Sequence, residues 1–337
     1  MDVLIIGGTG LISTEITRQL VDAGHDVVCF TRGETDAAVP DVVEFVHGDR
    51  DDHEEFVAQV GDLDVDCVID MVCFDADQAK RAVDAFAGEI DQYIFTSTID
   101  VYSRPLDTNP VTEDAPREPP TSEYGANKAA AEDVFVEADG KAFASTIIRP
   151  WSTYGDQGPV LHTFGDGTYF LDRIRKGKPI VVHGDGTSLW GPCHREDVAR
   201  AFVNAVGNET AYGETYHVTS EEVITWNQYY EIVADALDAP EPELVHIPTE
   251  QLLEADPERR HLLENHTYYA TVFDNSKARR ELDFEYTTSF SEGVSRAVEW
   301  LDAHDKIEPW DSERDDEIVD AWREAMGAFQ SIVNDEA

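Results

Sequence analysis

From its first residues the chain alternates short β-branched, apolar runs with segments of helical periodicity, and that alternation admits few folds. The runs fall at 3–6, 26–30, 43–47, 67–71, 92–96 and 145–148; between them lie stretches such as 14–23, where Ile16, Leu20 and Val21 recur at helical spacing. Strands separated by helices become parallel neighbours through crossover connections, so the pattern predicts an α/β fold with a doubly wound parallel sheet. Pro105, Pro110, Pro116, Pro119 and Pro120 exclude helix or central strand from 104–121, which reads as a loop. Beyond about residue 155 the alternation loosens into Gly/Pro/Asp-rich turns at 155–159 and 183–192, a strand-like run at 244–247 and helical patterns at 226–237 and 291–302. The expected organisation is a first domain over 1–155 with a returning segment near 195–240, and a smaller α/β domain from 156–194 and 241–337. In 313–333, Ile318, Ala321, Trp322, Met326, Phe329 and Ile332 recur at helical intervals, which predicts an amphipathic terminal helix.

Composition narrows the function classes. The 337 residues include 70 Asp and Glu against 25 Lys and Arg, a formal charge of -45, while 42% hydrophobic residues suffice for a core. Acid spread along the whole chain opposes polyanions, whose phosphates are bound through Lys and Arg, and it opposes anionic membrane surfaces. Neither nucleic acid nor membrane is therefore an expected partner. Such a surface suits concentrated salt, where at about 1 M the Debye length is roughly 3 Å and self-repulsion is screened. The composition resembles that of halophilic archaeal proteins, with an acidic mesophile protein as the alternative. Cys29, Cys67, Cys73 and Cys193 have no C-x-x-C spacing and are expected as buried, reduced thiols. With no basic leader and no apolar run of roughly 18 residues, a cytoplasmic location is expected.

Gly7-Gly8-Thr9-Gly10-Leu11-Ile12-Ser13 follows the first run and opens a helical segment. Glycine there permits a tight turn and lets the backbone approach a pyrophosphate at the positive end of a helix, so a dinucleotide is the expected cofactor; a plain βα turn is the alternative. Ser13 stands where a third glycine is usual, predicting slightly looser packing. The second run ends in Cys29-Phe30-Thr31-Arg32-Gly33, without the carboxylate that binds a ribose 2′-hydroxyl in NAD sites. Thr31 can hydrogen-bond a 2′-phosphate and Arg32 can pair with it, so NADP(H) is favoured. NAD(H) is not excluded, in which case Arg32 stacks on adenine. Asp49 either meets the adenine or caps its own turn. Tyr124 and Lys128 lie four apart on a predicted helix, where an ammonium would lower the phenol pKa towards neutrality.

Together with the segment 93–102 (Tyr-Ile-Phe-Thr-Ser-Thr-Ile-Asp-Val-Tyr), these motifs resemble those of the extended short-chain dehydrogenase/reductases, the NAD-dependent epimerase/dehydratase group. The likeness runs to about residue 300, through Arg149-Pro150, Tyr154-Gly155, Gly184-Asp185-Gly186, His194 with Asp197-Val198-Ala199, and 274–282. It implies a Rossmann-like sheet with a smaller C-terminal substrate domain, and hydride transfer between nicotinamide and a hydroxyl-bearing carbon of a sugar or sugar derivative. It implies Tyr124 as acid or base, Lys128 as ribose clamp, and Thr98 as the orienting hydroxyl with Ser97 second. Asp100 is either a further acid/base or an acceptor of backbone hydrogen bonds. The implied cofactor set is Gly7, Thr9, Gly10, Leu11, Ile12, Thr31, Arg32, Asp49, Arg50, Met71, Val72, Tyr124, Lys128 and Pro150.

The chain departs from nucleotide-sugar enzymes of that group after Gly186, where Thr187 to Pro192 carry no arginine. Residues 265–269 likewise lack the usual Arg-Pro-like segment, and Ser152 stands where Asn is common. Arg173, Arg175 and Arg259 are either substitutes or surface residues. A small, non-nucleotide carbohydrate is therefore an expected partner, touched by Thr98, Trp151, Ser152 and Trp190, the two tryptophans being stacking walls or core. His183 and His194 read as turn or core residues, and no metal spacing is present. Epimerisation, dehydration, net oxidoreduction by a reductase or dehydrogenase, and a homodimer all stay open. So does a non-catalytic dinucleotide-binding protein resembling chloroplast stem-loop RNA-binding relatives.

Overall fold

The computed structural model describes residues 1–35, 38–61, 63–158, 160–310 and 313–335, and the side chains of Arg259, His261, Asn265, His266 and residues 333–335 lie outside the description. The chain forms two compact units. The first is built on strands β1 (Asp2–Ile6), β2 (Asp26–Thr31), β3 (Glu44–His47), β4 (Cys67–Asp70), β5 (Gln92–Thr96) and β6 (Ala144–Pro150). A further strand, Glu214–Val218, pairs in parallel with β6, giving a seven-stranded parallel sheet ordered Glu214–Val218, β6, β5, β4, β1, β2, β3. The fold is Rossmann-like. That seventh strand is absent from the sequence expectation because only Tyr216 and Val218 in it are apolar, too few for a continuous run.

Alternate residues of each central strand feed opposite cores, as the two-residue repeat requires. Val3 and Ile5 face α1 (Leu11–Asp22) and α6 (Arg195–Ala205), whereas Leu4 and Ile6 join Phe56 of α2 (His53–Gly61), α3 (Ala76–Phe86) and Phe135 of α4 (Glu123–Ala138). Strand order reverses between β1 and β4, so a crevice opens at their carboxyl ends.

The second unit comprises Gly155–Trp190, Val223–Thr271 and Phe290–Ala337. It holds α5 (Tyr169–Arg175), the parallel strand pair Ile180–His183 and Leu244–Ile247, α7 (Trp226–Ala236) and helices Phe290–Ala303 and Glu313–Asp335. The segments returning to the sheet unit are Gly191–Glu222 and Val272–Ser289, not 195–240. Side-chain contacts explain the difference. In the second unit Trp226 packs 4.8 Å from Trp190 and Tyr229 stacks 4.8 Å from Phe290. In the sheet unit Asn275 bonds Thr219, and the Thr287 and Thr288 amides donate to Asp197. The terminal helix is amphipathic, but its apolar face is covered only in part: Val319 is buried, while Met326, Phe329 and Ile332 are exposed.

All four cysteines are free and buried. Desolvation pushes Cys29 up to about 11 and Cys73 up to about 12, leaving unreactive thiols. Among the described residues no helix is long and apolar enough to cross a membrane.

Candidate active site

The glycine turn after β1 is shaped to leave backbone exposed. Gly7 has φ +86°, and a Cβ there would sit 2.6 Å from Val72 Cγ1. Ser13, instead of loosening the turn, accepts the Gly10 amide at 2.8 Å through Oγ and is itself buried. A side-chain acceptor thus does the work expected of a third glycine. A crevice of about 420 Å³ follows, lined among others by Gly7, Thr9, Gly10, Thr31, Arg32, Asp49, Arg50 and Val72. The bare turn at the amino end of a three-turn helix fits a pyrophosphate.

Within the crevice the charged groups differ in availability. Arg50, expected at the cofactor, is instead locked to the buried Asp70 through Nη1 at 2.8 and 2.9 Å. Asp70 also accepts from Tyr93 Oη at 2.6 Å and the Val72 amide at 3.0 Å. Arg50 therefore forms a neutralised wall. Asp49 both lines the crevice and caps its turn, accepting the Asp51 amide at 2.9 Å. Arg32 is 68% exposed and lies 3.2 Å from Glu34.

A second cavity, of about 300 Å³, is lined by Ile12, Met71, Phe74, Thr96, Ser97, Thr98, Tyr124, Lys128, Pro150, Trp151, Ser152 and Thr153. Ser122 caps α4 by accepting the Gly125 amide at 3.0 Å. Gly125 lets the helix press on the loop after β5, because a Cβ there would be 2.0 Å from the Asp100 carbonyl oxygen. This approach brings Tyr124 to the same cavity as Thr98, whose Oγ1 accepts the Asp100 amide at 3.2 Å. Tyr124 keeps 40% of its surface exposed. Leu11 opens α1 and lines neither cavity.

Lys128 is 2% exposed, its Nζ donating to the carbonyls of Thr96 at 2.7 Å and Cys73 at 2.8 Å. Burial pushes it down to about 8. The expected depression of the Tyr124 pKa is not found. Desolvation and then the Asp100 carboxylate push the phenol up to about 12, against the neighbouring Thr98 hydroxyl, which lowers it. The ammonium is held on strand-end carbonyls, and the charge felt by the phenol is that of Asp100. Ser97 is engaged elsewhere, donating to Glu132 Oε1 at 2.5 Å.

Two neighbours escaped the sequence reading. Phe74 lines both cavities and lies 5.2 Å from Lys128 Nζ, but nothing in an isolated loop aromatic signals this. Glu132 sits four residues beyond Lys128, a spacing that places it on the same helix face. Trp151 and Ser152 reach the second cavity, Ser152 with φ +45°. Trp190 does not line it: fully buried in the second unit against Trp226, it is a core residue. Arg173, expected as a phosphate clamp or a surface residue, is buried 3.0 Å from Asp316 and 4.8 Å from the Trp310 ring, while Arg175 pairs with Asp302. His183 and His194 are buried, and His194 caps α6 through the Glu196 amide. Among the described residues no His/Cys/Asp/Glu group could hold a metal ion.

Comparison with known proteins follows the same lines. The model of the NAD dependent epimerase/dehydratase family matches residues 3–219. The chain belongs to this family. The 2'-dehydrokanamycin reductase of Streptomyces kanamyceticus is 31% identical over 274 residues, 81% of this chain and 76% of that protein. The chloroplast stem-loop binding protein of 41 kDa b of Arabidopsis thaliana is 30% identical over 259 residues, covering 72% of this chain and 65% of that protein. In structure, the epimerase Mth375 of Methanothermobacter thermautotrophicus superposes with a TM-score of 0.73 at 20% identity, over 90% of this chain and 92% of that one. At that identity the likeness concerns the epimerase/dehydratase family's fold.

Proposed function

We propose that this protein is an NAD(P)-dependent oxidoreductase that moves hydride between nicotinamide and a hydroxyl-bearing carbon of a sugar or sugar derivative. The single observation behind the reading is that Tyr124, Thr98 and the buried Lys128 line one cavity, which also reaches Pro150 and Met71. The glycine turn and α1 would hold the pyrophosphate, Thr31, Arg32 and Asp49 the adenosine half, and Lys128 with Tyr124 the nicotinamide ribose. The cofactor, when bound, would supply the hydride acceptor or donor.

Tyr124 takes the proton of the substrate hydroxyl on oxidation and returns it on reduction, with Thr98 orienting the reacting oxygen. Asp100, an anion near the phenol, favours its protonated form. Replacing Tyr124 by Phe tests the reading: turnover of NAD+ and NADP+ with a panel of sugars, and of NADH and NADPH with keto-sugars, should fall by at least about a hundredfold. Parental activity in Tyr124→Phe would overturn it.

A specific observation favours net reduction or dehydrogenation of a non-nucleotide substrate over epimerisation. Among the described residues that line the second cavity there is no arginine to pair with a substrate phosphate, and the relative matched over most of both chains is named a reductase of a dehydrokanamycin. Stoichiometric absorbance change of added NADPH with a keto-sugar, and none with UDP-glucose, is the expected result. Retention of tightly bound oxidised cofactor, with UDP-glucose turned over, would favour epimerisation. A formal charge of -45 weighs against an RNA-binding role.

A further inference from the structure

We propose that Phe74 is a positioning residue of the candidate active site, its ring face holding the Lys128 ammonium charged and in place while leaving one N–H for a ligand hydroxyl. The inference rests on the reading of Lys128 as part of that site. Lys128 is 2% exposed, and an ammonium so buried ordinarily has a carboxylate partner. Among the described residues it forms no ion pair. Its Nζ donates to the carbonyls of Thr96 and Cys73 and lies over two rings, Phe95 at 4.8 Å and Phe74 at 5.2 Å.

An ammonium has three protons to donate. Two go to the carbonyls, and a carboxylate would draw the third. A ring face attracts the charge through its quadrupole without an acceptor atom, most strongly where water is excluded. The third N–H is thereby left to the cavity that Lys128 and Phe74 both line.

The two rings differ in what else they do. Phe95 is buried 4.8 Å from Phe135 and belongs to the core. Phe74 is 46% exposed and, among the described residues, stacks on no other aromatic ring, so packing does not account for its place. Its main chain is nonetheless pinned: the Phe74 amide donates to Gln78 Oε1 at 2.7 Å, and the Gln78 amide to Asp75 Oδ1 at 2.8 Å, at the start of α3.

The charged groups around Lys128 are committed to one another. Asp70 at the end of β4 is paired with Arg50, and Glu132 of α4 with Arg149 and Arg117. Cys73 after β4 and Tyr124 one turn back on α4 are each pushed up to about 12, so they stay neutral while Lys128 titrates.

The experiment follows the urea midpoint of the full chain against pH for the parent, Phe74→Leu and Phe74→Tyr, each with Lys128 intact and with Lys128→Met. Stability rises once the folded lysine loses its proton, from about pH 8 in the parent. Leu covers the ammonium with apolar surface but has no quadrupole. Phe74→Leu should therefore start that rise about half to one pH unit lower, whereas Phe74→Tyr, which keeps the face, should match the parent. With Lys128→Met, Phe74→Leu should change the midpoint equally at every pH. A rise that starts at the same or a higher pH in Phe74→Leu, Tyr behaving as Leu does, or a shift that persists without the lysine would overturn the assignment. The measurement needs no coenzyme, so it can fail while the hydride-transfer reading stands, and parental activity in Tyr124→Phe can end that reading while the ring still holds the ammonium.

Discussion

Ser97 donates to Glu132, and Glu132 holds Arg149 through Nε at 2.7 Å and Nη2 at 2.6 Å. Arg149 Nη1 reaches Tyr102 Oη at 2.5 Å, which meets His217 Nε2 at the same distance. Burial pushes His217 down to about 3, so it stays neutral in this network. Two consecutive residues at the end of β5 are thus fastened to two residues of α4 one turn apart, the Thr96 carbonyl to Lys128 and Ser97 to Glu132, and the next residue, Thr98, lines one cavity with Tyr124.

Removing Glu132 should therefore unbalance a buried charge. Glu132→Ala leaves Arg149 in the core without its carboxylate, at a cost of about 3–5 kcal/mol. Denaturant midpoints of parent and variant check this, and an unchanged midpoint would contradict it.

Asp100 governs when the phenol ionises. A nearby anion disfavours phenolate, so Asp100→Asn should lower the Tyr124 pKa from about 12 by about one unit. In the oxidation direction, where phenolate is the base, the rising limb of the pH–rate profile should move to lower pH. A shift to higher pH would reverse the electrostatic assignment.

Lys128 should leave a signature in stability against pH. Its folded pKa of about 8 lies below the unfolded value near 10.4, so between these limits the unfolded chain binds more protons. The Lys128 contribution is a penalty fully present below about pH 8 and relieved as pH rises towards 10.4. Relative to Lys128→Met, the parent should gain roughly 3 kcal/mol across that window. A pH-independent difference between the two proteins would show that the lysine is not depressed.

The charge of -45 predicts a strong dependence on salt. Raising KCl from about 0.1 M to about 1 M shortens the screening length from roughly 10 to 3 Å, so the thermal midpoint should rise. A midpoint that falls or stays constant would mean that the acidic surface does not self-repel.

The sheet, the glycine turn and the Tyr124/Lys128 helix were legible because each is written locally, as β-branched runs, a turn requirement and a four-residue spacing. Glu214–Val218 was not, since its place is fixed by pairing with β6 and not by its own apolar content. Electrostatics was the other blind spot. Four-residue spacing places Lys128 on the Tyr124 face, but the direction of its Nζ depends on the carbonyls of Thr96 and Cys73, which come from distant segments. Arg50 looked available because Asp70, twenty residues on, gives no sign in sequence that it will meet it.

The sheet unit draws on three stretches of chain, the last ending at Ser289. Gln92, in the middle of that sheet, donates to the Ala205 carbonyl at 2.9 Å and accepts the Gly207 amide at 2.8 Å, and Asn275 fastens the segment after the final strand. A fragment cut near residue 155 would expose the open edge of β6 and strip the sheet of α6, inviting edge-to-edge aggregation. During synthesis, too, the amino-terminal half must wait unfinished until the residues of the 280s have left the ribosome.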